Sequence, residues 1–409
     1  MAQRKRTARS SSGSEPAGRQ AGGSPPGRAE SGAGPAKVRS PVDSDVLVIG
    51  AGAAGSTVAG LLAAEQRRVV LLDRDSTEGR KPMPRWVSGL AERILKKLKI
   101  SPKKAGVEAV RAVAFHSADL TKHQEVPCEE HGAYFVDLNG WNAALIAAAV
   151  ASGATFTPHA AVTLLRLKED HVAAECSDGA SRTAHLLVLA DGVYSQAAES
   201  IGLQLRPAAP RRFAAQLEWP AGKPSRLAPG TLNFVLGIEG GKALATYWSA
   251  GDREVATVFA TDEAAARAHL DGLLRNLTDV QGVALPRGTS AASAATHTLP
   301  VGHCLEIECH VGKRSLAIGD AGGFIASATC EGIYPAMWSA EIAAEIIHRA
   351  LDRPHPQDEL REFDVKWRTT MADYLRPPNA DLQFLLPLVF ANRQMAERLA
   401  RAFLRGENL

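Results

Sequence analysis

The chain has 409 residues, of which 45% are hydrophobic, and it carries a formal net charge of +3. That is ample material for a large buried core in two or three domains. It excludes a folded body that grips nucleic acid by sheer charge, because residues 1–40 hold eight Lys/Arg against two Asp/Glu and leave the remainder mildly acidic.

Residues 1–40 are dominated by Ser, Gly, Pro, Ala and Arg without apolar periodicity, which predicts a disordered basic tail. Its Arg4-Lys5-Arg6 run reads as a solvated arm with no specific nucleic-acid role. No apolar stretch of about 7 to 15 residues precedes Ser44, so the segment does not read as a secretory signal. Nor does any apolar run reach the roughly 18 residues needed to span a bilayer. The expected location is cytoplasmic, with a peripheral membrane contact left open. Five cysteines, an odd number scattered along a long chain, make no disulfide framework.

From Asp45 the pattern is regular. Asp45-Val-Leu-Val-Ile49 reads as a buried strand, Gly50-Ala-Gly52-Ala53-Ala54-Gly55 as a turn, Ser56 to Glu65 as a helix and Val69-Val-Leu-Leu72 as a second strand ending in Asp73. A helix is expected over 140–152, strands over 161–167 and 172–177, and a buried strand at Leu186-Leu-Val-Leu189 running into Asp191-Gly192. Four strands follow, over 213–219, 231–236, 243–249 and 254–261, closed by a helix over 263–277. The chain then returns to an apolar strand at Ser315-Leu-Ala-Ile318, a glycine-rich turn and an amphipathic helix over 333–351. The remainder reads as helices interrupted by Pro377-Pro378 and Pro387.

The spacing of Gly50, Gly52 and Gly55 between strand and helix carries the strongest chemistry. The first allows a tight turn, the second lets backbone approach a pyrophosphate, and the third permits close helix packing. Asp73 lies 18 residues beyond Gly55 at the end of the next strand, where an acid accepts hydrogen bonds from a ribose diol. The unit binds a dinucleotide. Cys304 and Cys309, flanked by His303 and His310, invite a zinc reading, but Leu305-Glu-Ile-Glu308 alternates like a strand and would turn the two thiols to opposite faces. No metal site is expected, and no Ser-His-Asp or paired-carboxylate constellation is visible.

Three blocks together resemble a known group, the FAD-dependent oxidoreductases of the geranylgeranyl reductase type within the wider fold of aromatic hydroxylases. They are Val46-Leu-Val-Ile-Gly-Ala-Gly-Ala-Ala-Gly55, Leu187-Val-Leu-Ala-Asp-Gly-Val-Tyr-Ser195 and Ala317-Ile-Gly-Asp-Ala-Gly-Gly-Phe-Ile-Ala-Ser-Ala-Thr-Cys-Glu-Gly-Ile333. The resemblance spans about residues 44–350. It implies an α/β protein: a Rossmann-type βαβ FAD-binding domain assembled from discontinuous segments, an inserted, mainly antiparallel β-sheet substrate domain, and C-terminal helices. The expected division is the tail over 1–40; FAD-binding segments over 41–115, 135–205 and 301–352; substrate-side strands over 116–134; a substrate domain over 206–300; and a helical region over 353–409.

The resemblance further implies that Asp320 bonds the ribityl chain of FAD and that backbone near Gly332 and Ile333 meets the pyrimidine edge of the ring. There a helix N-terminus stabilises charge on reduced flavin. Val162 would meet the adenine through its backbone, and Asp191 would support its own turn. The expected cofactor set is Gly50, Gly52, Ala53, Ala54, Gly55, Asp73, Arg74, Val162, Asp191, Gly192, Gly319, Asp320, Gly332 and Ile333, with the catalytic residues unassigned. Departures from the family pattern are Leu138 for an FAD-anchoring Arg, Ser327 for Pro, Cys330 for Gly, and Ser88 nearest to an expected Cys. Asn233-Phe-Val-Leu-Gly237 stands where an aromatic Trp-x-Phe-Pro motif is usual.

The implied activity is hydride transfer through flavin N5, reducing or oxidising carbon-carbon bonds of a small apolar, isoprenoid-like substrate. No second Rossmann unit is legible, so NAD(P)H as a transient reductant, or an unidentified redox partner, supplies electrons. The alternative is a monooxygenase using a flavin peroxide; a halogenase ranks below it because a Trp-x-Trp-x-Ile-Pro motif is missing. A third option is an FAD-binding protein without catalysis. Cys330, replacing glycine beside the flavin, either tunes the ring or is an inert small thiol. Trp86, Trp219, Tyr247, Trp248 and Phe259 either line an apolar pocket or fill core, and the stretch 382–390 either packs on the domain or lies on a membrane.

Overall fold

The computed structural model describes residues 42–76, 83–205, 212–222 and 225–409, so the tail expected over 1–40 lies outside the described residues. The chain runs β1 (Ser44–Ile49), α1 (Ala53–Ala64), β2 (Val69–Leu72), β3 (Pro84–Ser88), α2 (Glu92–Lys97), β4 (Glu108–Ala109), β5 (Ala112–Ser117), β6 (His123–Pro127), β7 (Ala133–Asp137) and α3 (Leu138–Ala151). It continues through β8 (Thr155–Thr157), β9 (Val162–Leu167), β10 (Val172–Cys176), β11 (Ser181–Leu189), α4 (Gln196–Ser200), β12 (Arg212–Pro220), β13 (Thr231–Ile238), β14 (Ala243–Ala250), β15 (Arg253–Ala260) and α5 (Glu263–Asp279). It ends with β16 (Ala295–Leu299), β17 (Val311–Gly312), β18 (Ser315–Ala317), α6 (Ile333–Ala350), α7 (Pro356–Leu360), α8 (Glu362–Thr370), α9 (Ala372–Leu375), α10 (Leu382–Ala391) and α11 (Arg393–Arg405).

Distant segments meet because of one sheet. Its order is β17-β18-β11-β1-β2-β8, with β10 and β9 attached beside β11. β1 pairs in parallel with β11 and β2, and β11 in parallel with β18, so that Ile49 lies opposite Leu189 and Leu72, and Leu189 opposite Ala317. The carboxyl ends of three strands far apart in sequence therefore lie side by side, and the turns beyond them, at Gly50, Ala190 and Gly319, converge on one crevice. Near-continuous Val/Ile/Leu runs suit strands covered on both faces, and Val46, Val48, Leu186, Val188 and Leu316 are fully or almost fully buried under α1 and α6.

A second, seven-stranded sheet has the order β16-β12-β15-β14-β13-β5-β6 and is antiparallel except where β13 runs parallel to β5. Strand alternation divides it. Ala215, Leu217, Trp219, Ala245, Tyr247, Ala256 and Val258 point to the face covered by Leu270, Leu273, Leu274 and Leu277 of α5. On the opposite face, Leu232, Phe234, Leu236, Trp248 and Val255 pack with Trp86, Phe135 and residues of α10 and α11. A three-stranded sheet, β3-β7-β4, lies beside it and joins its core through the edge-to-face contact of Trp86 with Phe234.

Two expectations are corrected. The strand over 305–308 is a short 3-10 turn at His303–Leu305 followed by loop. Cys304 and Ile307, three residues apart, both point into core, a spacing that suits a tight turn and not a strand of period two. Pro387 does not interrupt a helix: it sits inside α10. The lost amide bond is offset because Asp381 caps the helix through Gln383 N–H at 2.9 Å and Leu382, Leu386, Val389 and Phe390 pack on the core formed with β5, β6 and α11. That packing leaves Phe384 79% exposed on the outer face. No helix among the described residues is long and apolar enough to cross a membrane.

Candidate active site

At the carboxyl end of β1 the chain turns where only glycine fits. Gly50 has φ +99°, and a Cβ on it would stand 2.2 Å from Ala190 O; one on Gly55 would stand 1.8 Å from Gly50 O. Around Gly52, by contrast, a Cβ would meet nothing within 4 Å, so its backbone opens on the crevice. Gly52 is the N-cap of α1 and no side chain caps that end, which leaves the amides of Ala53, Ala54 and Gly55 pointing at a place for an anion.

The far end of the βαβ unit is tied back to this turn. Asp73 accepts the Ala51 amide at 2.7 Å with Oδ2 and the Asp75 amide at 2.9 Å with Oδ1. A carboxylate has about four acceptor sites, so holding the turn leaves room for a ribose hydroxyl. Arg74 is exposed and pairs with Asp75 at 3.5 Å. Val162 is half-buried at the start of β9, two residues beyond Ala160, whose amide donates to Asp73 O at 2.8 Å. None of these three residues lines the cavity described next.

Asp191 accepts the Ser195 hydroxyl at 2.5 Å and the Ala197 amide at 3.3 Å, capping the turn into α4, while burial raises its pKa. Gly192, at φ +87°, faces the cavity. Gly319, at φ +58°, packs so closely that a Cβ on it would stand 2.7 Å from the Ala54 methyl. The next residue, Asp320, faces the cavity, and no side chain or amide among the described residues donates to its carboxyl group. Burial pushes its pKa up to about 6.

Gly332 is the N-cap of the 18-residue α6, again without a side-chain cap of its own, and Ile333 opens the helix. Glu331 accepts the Tyr334 amide at 2.8 Å and the Tyr374 hydroxyl at 3.1 Å. Burial pushes its pKa up to about 7, with the charge of Asp320 adding to the rise. Cys330 holds φ +59°, and burial pushes its thiol up to about 12, so it faces the cavity as a neutral small group. Ser88 does not line the cavity: it is buried and donates to Leu404 O at 2.6 Å.

All these turns form one wall of a cavity of about 340 Å³. The facing wall is the second sheet with β3 and α3: Arg85, Trp86, Gln216, Thr246, Trp248, Thr257, Phe259 and His297, together with Leu138 and Asn142. Of the aromatics singled out in the sequence, Trp86, Trp248 and Phe259 line the cavity. Trp219 and Tyr247 belong to the opposite face, where Trp219 Nε1 donates to Glu254 at 2.6 Å. The polar residues of this wall escaped the sequence reading. Gln216 and Thr246 both pair with Thr257 in register, so the three make a polar row across β12, β15 and β14. Strand parity with Trp248 and Phe259 was the signal that could have found them.

FAD fits this construction. Glycines occupy the positions where a side chain would fill the cradle, the first amides of α1 lack a side-chain cap, and no described residue donates to the Asp320 carboxyl group. One turn along α3 from Leu138, Asn142 Oδ1 is buried without a partner. No group of three His, Cys, Asp or Glu among the described residues is placed to hold a metal.

Residues 43–263 match the family model described as FAD binding domain. The chain is 26% identical over 337 residues to the probable electron transfer flavoprotein-quinone oxidoreductase YdiS of Escherichia coli (strain K12), covering 76% of this chain and 77% of that protein. Its fold is similar to a geranylgeranyl bacteriochlorophyll reductase-like protein from Thermoplasma acidophilum (TM-score 0.67, 15% identity, 90% of this chain and 92% of that one). It is also similar to pqsL, a probable FAD-dependent monooxygenase from Pseudomonas aeruginosa (TM-score 0.60, 15% identity, 86% and 98%).

Proposed function

The chain belongs to the FAD binding domain family, and from that premise we propose that it passes hydride between FAD and a small, largely apolar organic substrate held against the second sheet. It is an FAD-dependent oxidoreductase. The observation that carries the finer reading is the shared cavity: turns built for the cofactor form one wall and a sheet rich in aromatic rings forms the other.

The chain's own residues divide the work. The Gly50–Gly55 turn and the first amides of α1 hold the pyrophosphate, Asp320 the ribityl hydroxyls, and the backbone at Gly332 and Ile333 the pyrimidine edge. Bound FAD supplies a two-electron hydride carrier. Trp86, Trp248 and Phe259 keep water from the reacting face. Glu331 and Asp320, both pushed toward neutrality by burial, retain protons at pH values where exposed carboxyls have lost them. No second glycine-rich βαβ unit follows in the described residues, so the reductant docks transiently, NAD(P)H or a redox protein.

The test is anaerobic reduction of the purified holoprotein, followed by mixing in separate runs with isoprenoids, aromatics, a quinone and O2. The quinone is included because the Escherichia coli relative bears that name. Reoxidation by an organic acceptor without O2, faster than spontaneous decay, supports hydride transfer to carbon. Reoxidation by O2 alone, with substrate-dependent oxygen uptake, replaces it with an oxygen-using enzyme. A protein that takes up no FAD removes both.

A further inference from the structure

The turn that carries Asp320 is closed by two bonds of its own, from the Gly323 amide to Asp320 O at 3.1 Å and from the Phe324 amide to Gly319 O at 3.0 Å. Its Gly322 carbonyl is taken by a side chain from outside: His310, 0% exposed, whose Nε2 lies 2.9 Å from that oxygen. The other ring nitrogen, Nδ1, lies 2.8 Å from Asp364 Oδ1 on α8. A carbonyl oxygen only accepts, so Nε2 carries a proton. Asp364 is ionised as well. It accepts the His310 amide, Trp367 Nε1 and Arg368 Nη1, each at 3.1 Å, and although burial opposes the charge, the bonds from His310 and Trp367 hold its pKa down to about 2. Nδ1 therefore donates too, and the ring is an imidazolium. The rings of Phe324, Trp367 and Phe363 enclose it, with centroids 5.0, 5.3 and 6.1 Å away. Among the described residues the charged groups beside it are Asp364 and Arg368, both of α8, while Asp320 on the turn faces the cavity. On its own segment the Cys309 thiol is neutral, its pKa raised by burial and by Asp364.

We propose that His310 is a positioning residue of the cofactor cradle: a buried imidazolium that bridges Asp364 and the Gly322 carbonyl and so holds the turn presenting Asp320. The inference rests on reading that turn as part of the FAD seat. Gly319, Gly322 and Gly323 bring no side chain that could brace the turn, and there is no room for one. A Cβ on Gly322 would stand 2.6 Å from the Phe324 ring, and one on Gly323 would stand 2.7 Å from the Cys304 nitrogen. The brace has to come from a neighbour. A doubly protonated ring suits the task because both of its bonds are charge-assisted, and the buried pair ties the turn to α8 in one arrangement. Loss of the second proton would leave Nδ1–H on the Asp364 carboxylate and set the bare Nε2 lone pair against the Gly322 oxygen. The turn would then lose its outside anchor.

Ring protonation is read from the nitrogen-15 shifts of histidine-labelled, FAD-free protein, with His310→Gln assigning the signal. At pH 6 both nitrogens of this ring carry protons, and the amides of residues 319–324 are protected from hydrogen exchange. Raising the pH until the second proton leaves lowers that protection and weakens FAD binding about tenfold, the worth of one buried charge-assisted bond. His310→Gln, whose amide can donate to the Gly322 carbonyl without titrating, lacks this step and keeps only the pH dependence that Asp320 and Glu331 contribute. Asp364→Asn also removes the step, because its amide can donate to Nδ1 and leave a neutral ring its Nε2–H. His310→Phe, which suits the aromatic surroundings but has no donor, binds FAD about tenfold more weakly at every pH than His310→Gln does. Packing alone would not produce that rescue. A ring already neutral at pH 6, a proton loss that leaves FAD affinity unchanged, a step that survives in His310→Gln, or wild-type FAD affinity in a folded His310→Phe protein overturns the proposal. Should the wild-type protein take up no FAD, the proposed function falls on that result, while the ring shifts and amide exchange still decide whether the clamp exists.

Discussion

The two walls of the cavity are built by opposite means. The wall proposed for the cofactor is built of turns, at 50–55, 190–192, 319–320 and 330–333, with glycine or alanine at many of the positions that line the cavity. The sheet wall is side chain, with Arg85, Gln216, Thr246, Trp248, Thr257 and Phe259 projecting from four strands whose backbones are occupied in pairing. Added atoms at Gly50, Gly55 or Gly319 would meet neighbours at 2.2, 1.8 and 2.7 Å, whereas a wall of strand side chains can be exchanged one residue at a time without disturbing the ladder. On the proposed function, cofactor binding is therefore expected to be the rigid property of this molecule and substrate choice the adjustable one.

Substitutions can break or sharpen that contrast. The largest effect is expected from Gly55→Val, whose Cβ would fall 1.8 Å from Gly50 O. Purified protein should retain less than about a hundredth of the wild-type FAD affinity, read by flavin absorbance after dialysis, and should melt lower. Normal FAD content would end the picture of an unyielding cofactor wall.

Next comes Glu331→Gln. The folded pKa of Glu331 is raised from 4.5 to about 7, so the native state keeps a proton that the unfolded chain has released across that window. Stability from this group is complete below pH 4.5 and is lost as the pH rises to about 7. Replacing it with glutamine should flatten that slope and stabilise the FAD-free protein at pH 8 by up to about 3 kcal/mol, measured by urea unfolding at several pH values. An unchanged slope would show that the carboxyl is better solvated than its burial indicates.

On the sheet wall, Thr246→Val removes a buried hydroxyl without a partner while nearly keeping its shape. The FAD-free protein should gain about 1 kcal/mol, and FAD content should be unaltered. A loss of stability would mean that the hydroxyl is satisfied. The smallest effect is expected at Cys330. Cys330→Ala should leave turnover and the flavin potential unchanged, and iodoacetamide should fail to label the wild-type thiol at pH 7.5, because burial holds it protonated. Rapid labelling, or a shifted potential, would assign this residue to the chemistry.

The same contrast explains what could be read in advance. Turns that require glycine write themselves into sequence, so Gly50, Gly52, Gly55 and Gly319 were legible, and the buried parallel strands before them announced themselves as apolar runs. Arg85, Gln216 and Thr246 were not. Gln216 and Thr246 sit in strands that read as ordinary alternation and Arg85 in a stretch where no strand was expected, and their meaning depends on strands from residues 84–88 and 295–299 being brought to the same face as those at 212–260. Trp219 and Tyr247 show the same limit: their type left pocket and core both open, and register placed them beneath α5. The stretch 305–308, which follows the turn at His303–Leu305, differs from expectation because its alternating residues mimic a strand when their hydrogen bonds cannot be seen.

The near-contact of Gly319 with Ala54 has a further consequence. One of these residues begins the turn that ends in Asp320, and the other lies in the first turn of α1, so the two ends of the cofactor cradle meet at a joint only two small residues wide. That joint acts as a gauge: the spacing between the first turn of α1 and the turn that carries Asp320 is set by the absence of a single methyl group. A methyl group on Gly319 would force these two elements apart, so their spacing is written in the interior of the fold and not only at the surface of the cavity.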